Sequence, residues 1–252
     1  MKRVLILGGS GYLGEILYKE LCSYFDTYAT YFSSKSHKHN KHFYQYNMEE
    51  GGLEAILKEV KPKLIISALR GDFETQIETH HFLINFVKNN NCRLLFLSSA
   101  NVFDAFQHYP SYEYDKTLSE SIYGRLKIKI ENGLLRLPPA KFVIVRLPMV
   151  FGQQSPRVRE IDWAVQQQIH YIINHKLSGI FHLGSQDLIG HYEFIKGVVE
   201  RRNHKKATYK QVFTTNDIRY LVTLPKENKL PQHLQINYNE VLDDIDLIRK
   251  II

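Results

Sequence analysis

The chain has 252 residues, 44% of them apolar and 23% charged, with a mean hydropathy of −0.30; these proportions exclude disordered and fibrous classes and fit one soluble globular domain, alone or with a small appendage. Its net charge of +7 is unevenly placed, since residues 1–126 carry 14 Lys/Arg against 14 Asp/Glu and residues 127–252 carry 19 against 12; this fits an anionic partner near the second half, nucleic acid or a phosphorylated small molecule, and equally a solvated basic face around Arg201, Arg202, Lys205 and Lys206. No apolar stretch approaches the roughly 20 residues that span a bilayer, and Cys22 and Cys92 are too few for a disulfide framework or a thiolate metal site, so a cytoplasmic protein is expected.

Val4–Leu7 reads as a short buried strand ending at glycines rather than at a cleavage site, and Tyr12–Phe25 carries an apolar helical stripe through Leu13, Ile16, Leu17, Leu21 and Tyr24. Tyr28–Phe32 is a second strand, 33–42 a polar loop rich in Lys and His, His42–Tyr46 a third strand, Leu53–Val60 a helix and Leu64–Ile66 a fourth strand. Thr75–Asn89 is helical, and Arg93–Leu97 is a fifth strand dense in Leu and Phe, as expected when both faces are covered. The alternation continues through a helix at Ser119–Leu135, a strand at Phe142–Arg146, a helix at Ile161–Asn174, a short strand at Gly179–Leu183 and helices at His191–Arg201 and Val241–Ile251. Strands alternating with helices at this spacing imply βαβ units, hence an α/β fold with a doubly wound parallel sheet. The regular alternation gives way near residue 147, which divides the chain into 1–146 and a smaller, basic 147–252 interleaved with the sheet.

Gly8-x-x-Gly11-x-x-Gly14 falls between the first strand and the first helix, where a dinucleotide fingerprint is required. Gly8 permits the tight turn, Gly11 lets backbone approach a pyrophosphate, and Gly14 lets helix and sheet pack closely. An enzyme selecting NAD places a carboxylate after the second strand to hold the ribose 2′-hydroxyl; here Ser33, Ser34 and Lys35 stand there, two hydroxyls and an ammonium that suit a 2′-phosphate. NADP, as NADPH in the reduced form, is therefore favoured over NAD.

Tyr123 and Lys127 lie four residues apart in the same predicted helix and so share a face. A phenol of pKa about 10 is a poor acid–base group at neutral pH, and a neighbouring ammonium favours its phenolate. Ser98 and Ser99 end the fifth strand, at the carboxyl edge where ligands bind in open α/β sheets. A hydroxyl there can hydrogen-bond a substrate carbonyl.

With these residues on view, the chain resembles an extended short-chain dehydrogenase/reductase, of the dTDP-4-dehydrorhamnose reductase group. The segments carrying the likeness are Gly8–Gly14, Leu97–Asp104, Tyr123–Lys127, Val145–Pro148 and Gly179–Gly184. The resemblance implies a Rossmann fold with a small C-terminal substrate subdomain, catalytic roles for Ser99, Tyr123 and Lys127, and a cofactor site made by Gly8, Ser10, Gly11, Tyr12 and Leu13, by Asn47 and Met48 at the third strand, by Ser67, Ala68 and Leu69 at the fourth, and by Tyr123 and Lys127 themselves. It implies a nucleotide-linked sugar or another anionic small molecule as partner, with Asn101 and Phe103 on the substrate side; Arg157 and Arg159, which follow Phe151–Pro156, read either as a bidentate diphosphate clamp on that side or as surface arginines at a helix start. No nucleic acid, membrane or metal partner is expected, and a homodimer is one arrangement open to it.

Some positions depart from the family pattern. Ala100 and Asn101 replace an Asp-Tyr pair, Asn47 replaces an aspartate, Ser67, Leu69 and Arg70 alter the fourth-strand motif, and the interval from Arg146 to Gly179 is short. Ala100 and Asn101 cannot supply the extra acid and base that a dehydratase needs. The leading reading is an NADP(H)-dependent reductase of a keto group on a nucleotide-linked sugar. The alternatives are an epimerase using the same three residues, or a non-catalytic dinucleotide-binding protein resembling the regulatory subunit of methionine adenosyltransferase. The basic 201–206 cluster has no nucleic-acid-reading motif beside it.

Overall fold

The computed structural model describes residues 2–105, 110–148, 160–184, 186, 196–197, 200, 223–226 and 229–237. The expected helices over 191–201 and 241–251, the basic cluster at 201–206, and Arg157 and Arg159 lie outside those residues or almost wholly so.

The elements in chain order are β1 (Arg3–Leu7), α1 (Tyr12–Leu21), β2 (Asp26–Tyr31), β3 (Phe43–Gln45), α2 (Leu53–Val60), β4 (Leu64–Ser67), α3 (Phe73–Asn89), β5 (Arg93–Ser99), α4 (Ile122–Leu134), β6 (Phe142–Leu147), α5 (Glu160–Asn174) and β7 (Gly179–His182). The seven strands pair in parallel in the order β3-β2-β1-β4-β5-β6-β7. The chain runs outward from β1 through β2 to β3, then returns to β4 on the other side of β1. A crevice therefore opens at the carboxyl ends of β1 and β4, where open α/β sheets bind ligands.

The buried strands explain the two layers. Along β1, Val4 and Ile6 join the core under α1 and α5, whereas Leu5 and Leu7 join the one under α2, α3 and α4. Leu17 and Leu21 of α1 and Val165, Ile169 and Ile172 of α5 fill the first; Leu57, Leu83, Val87, Leu126, Ile130 and Leu134 fill the second. The strand near 179, from the basic second half, becomes the sheet's β7 edge by pairing with β6. Among the described residues, no helix is long and apolar enough to cross a membrane.

Capping decides where elements depart from the expected bounds. The first helix stops at Leu21 rather than Phe25, because the chain turns there with Tyr24 N donating to Leu21 O. α3 starts two residues early, since the Asp72 carboxylate accepts from Thr75 N at 2.9 Å, and α4 starts at Ile122 because Ser121 Oγ accepts from Gly124 N at 3.0 Å. β5 runs on to Ser99, whose register partner is Leu147 of β6.

Candidate active site

The glycine turn after β1 has no room for side chains. Gly8 has φ +79°, and a Cβ on it would lie 2.7 Å from Ala68 O; one on Gly14 would lie 2.2 Å from Gly8 O. The first turn of α1 thus sits directly on the loop. Thr30 of β2, only 2% exposed, fixes it: Gly8 N donates to Thr30 Oγ1 at 2.9 Å and Ser10 N to Thr30 O at 3.3 Å. Gly11 caps α1 without any side-chain hydrogen bond, so no side chain of the cap stands between the helix start and an anion. This cradle, at the sheet's switch point, fits a dinucleotide pyrophosphate. Tyr12 and Leu13, half-buried, open the helix beside it.

The other positions expected near the cofactor are arranged less uniformly. Ser33 is exposed and Ser34 half-buried, the latter with its hydroxyl 2.8 Å from that of Ser36, and Lys35 opens a short 3-10 turn over Lys35–His37. Asn47 spends its side chain locally, donating to Glu50 Oε1 at 3.0 Å and accepting from Glu49 N at 3.2 Å, while the Met48 methyl lies against Gly71. Ala68 backs the glycine turn, and Leu69 is buried. The Ser67 hydroxyl points the other way, donating to Nε2 of the buried His80 at 2.8 Å. Burial lowers the His80 pKa to about 4, and its other nitrogen meets Gln76 O at 2.6 Å.

Ser99, Tyr123 and Lys127 converge at the carboxyl edge of β5. Tyr123 and Lys127 stack one turn apart on α4, with Nζ 5.4 Å from the Tyr123 ring centroid and 4.6 Å from that of Phe96. Lys127 is 5% exposed and donates to Leu97 O at 3.1 Å. Desolvation lowers its pKa to about 8, with the Glu131 carboxylate opposing that shift and Arg70 adding to it. The Ser99 hydroxyl is close enough to the Tyr123 phenol to oppose the upward shift of its pKa. Its hydroxyl donates to Asn101 Oδ1 at 2.8 Å and accepts from Asn101 N at 3.2 Å, so Asn101 bears on the site by holding Ser99.

The electrostatics differ in one respect from the simple expectation of a phenol pulled down by its lysine. Desolvation raises the Tyr123 pKa, and the lowering influences are Ser99 and Arg70 rather than Lys127. Burial lowers the Lys127 pKa to about 8 but leaves the ammonium mostly charged at neutral pH. Tyr123 is nonetheless 41% exposed and open to a ligand.

A buried network supports this cluster. Arg146 and Glu131, each with a side chain 2% exposed, pair at 2.7 Å; Ser98 Oγ donates to Glu131 Oε1 at 2.5 Å. Arg146 also donates to Glu113 O at 2.9 Å and lies 3.2 Å from His182 Nε2. Phe103, expected on the substrate side, is corrected here: it is 2% exposed, with its ring 4.9 Å from the Arg146 guanidinium carbon, because the 3-10 turn after Ser99 carries it into the interior. Thr30, Arg70, Glu131 and Arg146 were not singled out as site residues from the sequence. Only Glu131 left a clear trace, at the next helical position after Tyr123 and Lys127 on the same stripe.

The family model described as "RmlD substrate binding domain" matches residues 1–161. The chain belongs to that family. It is thereby of the extended short-chain dehydrogenase/reductase type. Among solved structures it is similar to dTDP-4-dehydrorhamnose reductase from Bacillus anthracis in complex with NADP, at 18% identity and TM-score 0.73, covering 98% of this chain and 99% of that one. It is similar also to dTDP-4-dehydrorhamnose reductase from Yersinia enterocolitica, at 17% identity and TM-score 0.72 over 96% and 98% of the two chains. UDP-N-acetylglucosamine 4-epimerase from Bacillus cereus follows at 14% and 0.68 over 99% and 100%. No curated protein matches the chain in sequence.

Proposed function

We propose that this protein is an NADP(H)-dependent reductase of a keto group on a nucleotide-linked sugar. The observation that carries this reading is the convergence of Ser99, a partly open Tyr123 and a buried Lys127 beside the glycine turn. NADP is supported by Ser33, Ser34 and Lys35, which put no carboxylate after β2, and by the NADP bound in the Bacillus anthracis neighbour.

Gly8, Ser10, Gly11, Tyr12 and Leu13 would hold the pyrophosphate side of the cofactor, Ala68 and Leu69 its neighbouring wall, and Lys127 a ribose hydroxyl. When bound, the reduced cofactor supplies a hydride equivalent for a carbonyl carbon. Tyr123 gives its proton to the carbonyl oxygen, and its raised pKa keeps that proton in place until it is needed. Ser99 donates a hydrogen bond to the same oxygen once it releases Asn101 Oδ1. Lys127, seated over the ring, stabilises the phenolate left behind. Residues 1–146 act as the cofactor-binding part and 147–252 as the substrate side, with Arg157 and Arg159 assigned to a diphosphate.

The test is NADPH absorbance with the purified protein and a panel of nucleotide-linked keto sugars. One NADPH consumed per alcohol formed is expected for at least one member. An epimerase would change the sugar with no net cofactor oxidation, and cofactor binding without chemistry on any member would leave only a binding protein; either result refutes the reductase.

A further inference from the structure

Arg70, exposed and without a partner among the described residues, follows the carboxyl end of β4. Arg70 lies three residues past Ser67, the last residue of β4, and Ser67 is in register with Phe96 of β5. β4 ends at Ser67 while β5 runs on to Ser99, so Arg70 lies in the loop that leaves the carboxyl end of β4, the strand next to the one that carries Ser99. The backbone on both sides of Arg70 is fixed. Leu69 before it is 8% exposed, and Gly71 O after it accepts from the side chain of Gln76, itself 3% exposed, at 2.9 Å.

The Arg70 side chain is exposed, and among the described residues it makes no ion pair or hydrogen bond. It is nevertheless close enough to act electrostatically on both Tyr123 and Lys127. Several carboxylates of the site have partners of their own. Glu131 is taken by Arg146 and Ser98, Asp104 by Glu120 N and the Ser121 hydroxyl, Glu113 by Lys226 N, and Asp72 by Thr75. A guanidinium acting on a second cation disfavours its charge, and an anion arriving from outside would relieve that repulsion. A neutral keto sugar provides none at that place.

We infer that Arg70 is a specificity-determining residue that holds a carboxylate or phosphate carried by the substrate beside the carbonyl presented to Tyr123 and Ser99. The inference rests on the reductase reading and narrows its substrate to sugar nucleotides bearing an extra acidic group near the reacting carbon. A bidentate guanidinium contact is the natural recognition mode for either anion.

Isothermal titration calorimetry with saturating NADP+ tests it, using UDP-glucuronate and UDP-glucose as acidic and neutral probes against wild type, Arg70→Gln and Arg70→Lys. Wild type should bind UDP-glucuronate at least tenfold more tightly than UDP-glucose; Arg70→Gln should abolish that preference, and Arg70→Lys should restore part of it. Because Arg70 is exposed and unpaired, both variants should keep the wild-type unfolding midpoint. Equal binding of the two probes by wild type, or a preference that survives in Arg70→Gln, overturns the role of Arg70 while leaving the reductase reading intact. A tenfold loss of NADPH affinity in Arg70→Gln also overturns it, by assigning the arginine to the cofactor phosphates. Binding of neither probe overturns the nucleotide-sugar reading and this inference with it.

Discussion

Glu131→Leu removes the carboxylate paired with Arg146, whose side chain is 2% exposed. The guanidinium would keep Glu113 O at 2.9 Å but lose both oxygens reached by Nε and Nη2, and Ser98 would lose its acceptor. Breaking a buried pair by deleting one partner costs about 3–5 kcal/mol. For a chain of this length that corresponds to a fall in Tm of about 6–20 °C. Glu131→Leu/Arg146→Met removes both charges, so most of the lost stability should return. Activity should not return with it, because Glu131 is the group that favours the Lys127 ammonium. Thermal and urea unfolding followed by circular dichroism, beside NADPH turnover across pH, would measure both effects. The reasoning is refuted if the single variant unfolds within about 1 kcal/mol of wild type, or if the double variant is no more stable than the single one.

Further outcomes follow from the same geometry. Lys127, with its pKa lowered to about 8 from 10.5, is a group whose charged form the native state disfavours; the unfolded chain binds the extra proton between those values, so its contribution to stability rises with pH across that window. Lys127→Met should therefore gain most over wild type in urea midpoint near pH 7, with the gain shrinking by pH 9.5, and wild-type kcat/KM for reduction should fall as pH passes through about 8. His80, held neutral by burial with a pKa near 4 against 6.5, should make the protein lose stability as pH falls from 6.5 to 4, and His80→Asn should flatten that limb of an acid titration followed by fluorescence. Ser33→Asp should weaken NADPH binding at least tenfold while leaving NADH within about threefold, measured by quenching of protein fluorescence; an unchanged ratio would detach Ser33 from the 2′-phosphate.

The fold was legible because its signals are local and repeated. Short runs such as Val4–Leu7 and Arg93–Leu97 are apolar on both faces, as a covered parallel sheet requires, and the glycine spacing after β1 marked the crevice. Tyr123 and Lys127 were legible for the same reason, one helical turn apart. Thr30 was not, since a threonine in a strand carries no mark of the Gly8 amide it will meet 22 residues away. Phe103 was misplaced because an aromatic two residues past Asn101 reads equally well as pocket lining or core, and only the 3-10 turn capped by Ser99 sends it inward. The phenol's raised pKa was beyond the sequence as well, because it depends on desolvation by neighbours distant along the chain. Arg70 was noticed as a departure from the family pattern, but its partnerless state beside Tyr123 needed the three-dimensional arrangement.

The central claim is that Tyr123 delivers the proton in a reduction supported by Ser99 and Lys127. The most direct measurement compares Tyr123→Phe with wild type in NADPH turnover on an accepted nucleotide-linked keto sugar and in NADPH affinity. Loss of one acid–base group should lower kcat by about 10²–10⁴-fold, with the dissociation constant for NADPH changed by less than about threefold, since the glycine turn that supports the cofactor is untouched. Turnover within tenfold of wild type would contradict the account.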